Sequence, residues 1–205
     1  MKKIIAIAFI LFTGIFTSNA QVTFKPGLRA GASLSTFSQT RSSYKTDFYV
    51  GAFGEINLTR VYSLQPEITY VQQGSNNVKI IHDYNNSDYV VEHRDLEIDY
   101  LSIAMINKFT FNGTFQVQVG PTLDFRLQDN LVYENSDIDM ALVLGLAYKV
   151  TPNLTFEARF KKGLIDVLDS DYYDNNYDNN NYLFDDYNTN INFQLGLAYS
   201  FGGKK

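Results

Sequence analysis

Five charged residues, Arg29, Glu55, Glu67, Glu157 and Arg159, stand in four well-separated segments of the chain. Each sits in a polar or small-residue row that alternates with an apolar one, so all five belong on one side of a sheet. Counted from the nearest short turn they fall at similar depth. Carboxylates and guanidiniums gathered in an enclosed polar row support two chemistries: a gated polar path or proton relay, or a satisfied ion-pair network that fills the space. The second is favoured, because the interior of a small barrel is just wide enough for its side chains.

A second constellation is acidic. Residues 166–188 interleave Asp with Asn and Tyr, and Asp169, Asp171, Asp174 and Asp178 are candidate oxygen ligands for calcium. The stretch lacks the turn glycine and closing glutamate of an EF-hand loop, and a solvated low-complexity surface loop accounts for the same residues. Tyr beside Asn and Asp also suits a wet protein or glycan interface, since Tyr joins an apolar body to a polar tip. His82 and His93 are the only histidines. A hairpin symmetric about Asn86-Ser87-Asp88 would set them face to face, with Asp83 or Glu92 completing a metal pair; plain exposed polar residues are the alternative.

For catalysis there is no cysteine, no nucleophile elbow and no HExxH. A rim enzyme would need His beside Ser or Asp, which leaves only His82 and His93. The expectation is no catalytic residue, and no cofactor beyond calcium at the Asp-rich loop.

These residues need strands to position them. Eight segments alternate with period two: 23–36, 48–58, 62–70, 96–111, 115–127, 140–148, 154–161 and 189–201. The last is the clearest, with Ile191, Phe193, Leu195, Leu197, Tyr199 and Phe201 against Asn190, Asn192, Gln194, Gly196, Ala198 and Ser200. In 96–111 the apolar parity changes, which predicts a bulge near Asp99-Tyr100. Asn112-Gly113 predicts a two-residue hairpin with positive φ. Pro66 and Pro121 cannot donate to a neighbouring strand, so each predicts a bulge or a missing bond. Short turns near Thr59, Asn112 and Pro152 alternate with longer loops at 37–46, around 85–87, at 128–136 and at 166–188. No segment carries a helical stripe. The expected fold is all-β: an eight-stranded antiparallel up-and-down transmembrane β-barrel.

The chain begins with Lys2-Lys3, an apolar run to Phe16 and small residues at Ser18 and Ala20, the pattern of a cleaved signal peptide over 1–20, leaving the barrel domain at 21–205. An uncleaved anchor is the alternative. The formal net charge of −5 and the lack of a basic stripe argue against nucleic acid as a partner. A soluble barrel would alternate equally well with its apolar face inward. Three features favour lipid outside: apolar rows free of charge, opposite rows mixing Gly with both signs of charge, and aromatics near the short-turn ends. Those aromatics are Tyr62, Phe109, Phe111, Tyr148, Tyr199 and Phe201, with Phe115 and Phe156, placed as an interfacial girdle.

The stretches Gly27-Leu28-Arg29-Ala30-Gly31, Ser63-Leu64-Gln65-Pro66-Glu67-Ile68-Thr69-Tyr70 with Gly74, Leu96-Glu97-Ile98, Val119-Gly120-Pro121 and the terminal Phe201 carry a resemblance over the whole mature chain. It resembles the PorT-like outer-membrane β-barrels of Bacteroidetes, departing from them at Asp99, where Pro is usual, and in the extreme Asp/Asn/Tyr loop. The resemblance implies an outer-membrane barrel with periplasmic termini and extracellular long loops. It also implies outer-membrane lipid, lipopolysaccharide and the barrel assembly machinery as partners. From the loops follows a non-enzymatic structural, surface-interaction or adhesion role, with a protein or glycan at the loops. The resemblance adds an alternative, an accessory role in protein secretion across the outer membrane. A rim-located membrane enzyme is the remote third.

Overall fold

The structure, a computed structural model, describes residues 22–38, 42–84, 88–131, 136–165 and 189–202. Among them every regular element is a strand: β1 (Thr23–Phe37), β2 (Ser43–Asn57), β3 (Tyr62–Tyr84), β4 (Asp88–Phe111), β5 (Phe115–Asp129), β6 (Ile138–Lys149), β7 (Leu154–Gly163) and β8 (Asn190–Ser200). Each pairs antiparallel with the next, and β8 returns to β1 from Gly27↔Ser200 to Phe37↔Asn190, closing the barrel. Closure pairs the backbone of every strand on both sides over its barrel portion and leaves no sheet edge there.

The alternation that predicts these strands also decides their faces. On β6, Asp139, Ala141, Val143 and Ala147 are buried, whereas Met140, Leu142, Leu144, Leu146 and Tyr148 are 44–56% exposed. The apolar row of β8 likewise points outward. The lumen therefore holds the polar row and the outer wall the apolar one. Asn112 and Gly113 both have positive φ (51° and 71°), as expected, but the loop holds three residues, Asn112 to Thr114, between the register partners Phe111 and Phe115, and Thr114 N–H donates to Phe111 O.

Two further expectations change. The connection expected at 37–46 is part strand, since β1 runs to Phe37 and β2 begins at Ser43, while β3 to Tyr84 and β4 from Asp88 are the strand-like flanks expected on either side of 85–87. Leu96, Ile98 and Tyr100 share the inward parity of Ser102, Ala104, Ile106 and Lys108, so β4 has no change of parity. A register shift does fall between Asp99 and Tyr100 in the ladder to β5, but the extra residue is Leu127 on β5. At Pro66 the pairs with β2 drop out, and at Pro121 those with β4, while the register on either side is unchanged. Each proline costs a local break in one ladder and produces no bulge there.

An unforeseen bulge sets Asn76 and Asn77 on β3 against Asp95 on β4. Asn77 takes φ 59° there, and its N–H donates to Asp95 Oδ1 at 2.8 Å. Above and around this bend lies an apolar cluster of Phe37, Tyr49, Val71, Val78, Ile80, Leu96, Ile98 and Tyr100, with Leu131 packed on it. Polarity inverts along the barrel. From the short-turn rim up to the register pair Val71↔Tyr100 the outside is apolar and the inside mostly polar; beyond it Lys79, Glu97 and Asp99 face out while Val78, Ile80, Leu96 and Ile98 face in.

Candidate functional site

Four of the five charged residues singled out above meet in the lumen. Arg29 on β1 lies 3.0 Å from Glu67 on β3 and 2.7 Å from Glu157 on β7. Arg159, also on β7, lies 2.7 Å from Glu67 and 3.2 Å from Glu157. Two guanidiniums and two carboxylates thus alternate in a closed ring, all four side chains nearly inaccessible. Arg159 Nη1 and Nη2 donate to both Glu67 oxygens at 2.8 and 2.7 Å, a bidentate fork whose planar geometry lysine could not reproduce.

Neutral side chains complete the ring. Tyr49 O–H donates to Glu157 Oε1 at 3.2 Å, and the Arg29 guanidinium lies 4.5 Å from the centre of the Tyr49 ring. Arg159 Nε donates to Gln118 Oε1 at 2.7 Å, and Arg29 Nη2 to Gln194 Oε1 at 3.1 Å. Two glycines make the room. A Cβ on Gly145 would press on the Arg159 stem at 2.9 Å, and one on Gly196 would collide with the Tyr49 hydroxyl.

Glu55, the fifth residue, stands apart. It lies nearer the short-turn rim, where Lys108 Nζ donates to its Oε2 at 3.1 Å and packs over the Phe53 ring. A third charged group was not singled out from sequence. Asp124 on β5 and Asp139 on β6 are register partners, and Lys161 on β7 pairs with Asp124. Asn190 Nδ2 donates to Asp139 Oδ2 and to the Tyr100 hydroxyl, each at 3.2 Å. The signal for Lys108, Asp124, Asp139 and Lys161 was present, since all four occupy inward rows; what was missing is the stagger between strands that selects their partners.

The backbone does not pair the weaker metal candidates His82 and His93. The backbone register sets His82 opposite Val90 and His93 opposite Lys79, so the two histidines are not cross-strand partners. Asp169, Asp171, Asp174 and Asp178 lie outside the described residues. Among the described residues no group of three His, Cys, Asp or Glu converges. The aromatics at the short-turn end do cluster on the outer wall. Phe109, Phe111, Tyr148, Tyr199 and Phe201 are exposed, with ring pairs Tyr62–Phe109 and Tyr199–Phe201 each at 5.4 Å.

A closed eight-stranded ring with a charged lumen and an apolar outer belt needs hydrocarbon around it. Residues 19–169 match the family described as outer membrane protein beta-barrel domain. The chain belongs to that family. It is a bacterial outer-membrane β-barrel protein, and the outward rows of Leu, Ile, Phe and Met are its membrane wall. No curated protein matches the chain. Solved structures similar to this barrel include Neisserial surface protein A, at 14% identity and TM-score 0.49 over 88% of this chain and 99% of that one. Ail, the attachment invasion locus protein of Yersinia pestis, has 13% identity and TM-score 0.47, covering 86% and 98%. Outer membrane protein OprG from Pseudomonas aeruginosa has 11% identity and TM-score 0.48, covering 89% and 98%.

Proposed function

We propose that this barrel is a closed, non-enzymatic membrane scaffold that works at its surface, through the rim carrying the β3–β4 hairpin and the Asp/Asn/Tyr-rich segment 166–188. That rim is extracellular, and both chain ends are periplasmic. The observation that carries the reading is the β3–β4 ribbon. Its pairing continues from Val78↔Arg94 to Tyr84↔Asp88, past the last pairs of β3 with β2 (Ser43↔Asn76) and of β4 with β5 (Ile98↔Asp129). Above the barrel this ribbon has no strand partner on either edge among the described residues, and it carries the exposed His93 and Arg94 side chains. The lumen below is filled by paired charges and sealed by the apolar cluster. The partner is a protein or glycan met at this rim.

The test is deletion of residues 171–182 and, separately, of 80–92, in cells carrying the otherwise intact chain. Loss of surface adhesion with normal barrel levels supports the proposal, and unchanged adhesion in both strains removes it. Failure of cargo export in a clean deletion strain would favour the secretion-accessory role that the PorT-like resemblance suggests.

A further inference from the structure

The two rims of the barrel differ in charge. At the short-turn end the residues 22–26, 57–62, 111–115, 149–154 and 199–202 include Lys25, Arg60 and Lys149 and no Asp or Glu. Toward the other end lie Asp47, Glu97 and Asp99, and the sequence between β7 and β8 contains seven Asp over residues 166–188. In a chain of formal net charge −5 the basic end is a local exception. Both lysines there belong to inward rows. Lys25 on β1 is the register partner of Glu55 on β2, and Lys149 follows the buried Ala147 on the inward row of β6. Strand β6 stands four strands from β2 in the ring of eight, yet Lys149 acts on the Glu55 charge together with Lys108 and Lys25. Three ammonium groups therefore gather round one buried carboxylate, and Lys108 already holds it at 3.1 Å. Among the described residues no Asp or Glu forms an ion pair with Lys25 or Lys149, and both side chains are half-buried. The mouth is shallow. Ser63 and Thr155, the register partners of Lys108 and Lys149, are buried, and the next inward residue of β7 is Glu157 of the charge ring.

We infer that this mouth binds an acidic peptide segment, with one of its carboxylate side chains seated between Lys25 and Lys149. Charge complementarity argues for that occupant. Two half-buried ammonium groups with no carboxylate of their own attract negative charge, and a cleft lined by one sign of charge focuses its field at the opening. Their inward placement turns them toward the barrel axis and away from the lipid headgroups around the outer wall. Glu55 beside them penalises a dianion such as phosphate more than a single carboxylate. The buried residues and the charge ring behind them admit a side chain and stop a threading chain. Arg60, exposed on the β2–β3 turn, gives the rest of the peptide a second cation outside the mouth. That the partner is a periplasmic protein follows from the proposed sidedness of the barrel; the site itself does not depend on it.

The test uses the folded full barrel in phosphatidylcholine nanodiscs, which leave both rims open to solution. The probe is a fluorescent peptide of alternating Glu and Gly, read by polarisation at low salt, where screening is weak. Heat-modifiable gel migration first establishes that each variant is folded, so a failure to fold is separable from a failure to bind. The unaltered barrel should bind the peptide. Lys25→Gln together with Lys149→Gln should weaken binding about tenfold, as the loss of two partly exposed ion pairs implies. Lys45→Gln together with Lys79→Gln, an equal change of charge away from this mouth, should leave it intact. No binding to the unaltered barrel, or binding that the Lys25 and Lys149 changes do not weaken, overturns the inference. So does tighter binding of a phosphoserine peptide of the same length, which would make a phosphate the occupant.

Discussion

Val71 on β3 and Tyr100 on β4 are register partners with buried side chains, and at that pair the inward row of β4 turns from mostly polar to apolar and its outward row from apolar to charged. On the short-turn side of it Ile68, Ile103 and Met105 point out while Glu67, Ser102 and Lys108 point in. On the far side Leu96, Ile98, Val78 and Ile80 point in, and Glu97 and Asp99 point out. The outside of a transmembrane barrel is apolar only where it meets hydrocarbon. Where strands rise into water the ordinary rule returns, and apolar side chains turn to the interior. The exchange therefore marks where β3 and β4 leave the bilayer.

If the wall below that level faces lipid, a charge placed on it is costly. Leu144→Arg, on an outward row of β6, should lower folding stability by about 2–4 kcal/mol in vesicles. Tyr148→Arg, in the aromatic belt at the short-turn end, should cost about 0–1 kcal/mol, as interfacial positions do. Urea-unfolding titrations of the barrel in lipid vesicles read the difference, and equal costs would contradict the placement of the wall.

The Arg29–Glu67–Arg159–Glu157 ring should behave as one unit. Glu67→Ala leaves two guanidiniums sharing one carboxylate and should destabilise by about 3–5 kcal/mol. Replacing all four by apolar residues of similar volume should cost much less than the single change, because no buried charge is then left alone. The comparison is read by the same unfolding titrations or by the temperature at which heat-modifiable migration is lost.

Among the described residues the charged residues buried in the lumen are Arg29, Lys108, Arg159 and Lys161 against Glu55, Glu67, Asp124, Asp139 and Glu157, one carboxylate in excess, while the buried side chain of Arg126 pairs with Asp129 and Asp137. The excess falls on the Asp124–Asp139 pair, which shares the single Lys161. Asp139→Asn should therefore be neutral or stabilising at neutral pH, since it removes the surplus charge and keeps the shape. Asp124→Asn takes the partner from Lys161 and should destabilise by on the order of 3 kcal/mol. Matched thermal melts of the two variants decide, and a large loss from Asp139→Asn would count against this division of roles.

Gly196 should tolerate no side chain. It faces Gly31 on β1 and Glu157 on β7, and a Cβ there would meet the Tyr49 hydroxyl and the Ala30 carbonyl oxygen. Gly196→Ala should cost about 1–3 kcal/mol through overpacking. Tyr49→Phe, which removes only the hydroxyl and its bond to Glu157, should cost about 1 kcal/mol. On the Tyr49→Phe background the glycine substitution should cost less than on its own, a coupling readable in a double-mutant cycle.

The strands were legible wherever one face met lipid and the other a polar lumen, as on β6 and β8, because the contrast between rows is then complete. On β4 the contrast itself inverts: Leu96, Ile98 and Tyr100 suggest a change of parity in the sequence, whereas the parity is constant and the surroundings change. Arg29, Glu67, Glu157 and Arg159 were legible as inward charges at one depth. The pairing of Glu55 with Lys108, and of Asp124 with Lys161, was not, because it depends on stagger between strands, which no single strand records. The same limit applies to His82 and His93, whose predicted facing assumes a hairpin symmetric about Asn86-Ser87-Asp88, whereas the register pairs Tyr84 with Asp88 and so sets His82 against Val90.

The most direct test of a closed barrel acting at its surface is electrical. Purified, folded barrel inserted into a planar bilayer should give a flat baseline across applied voltage, since the proposal has the lumen filled by the charge ring and the apolar cluster. Glu67→Ala, which breaks the ring beneath an intact apolar cap, should stay equally silent. Steady unitary conductance steps from the unaltered barrel, scaling with the amount of folded protein, would contradict a filled lumen and turn the same charges into the lining of a pore.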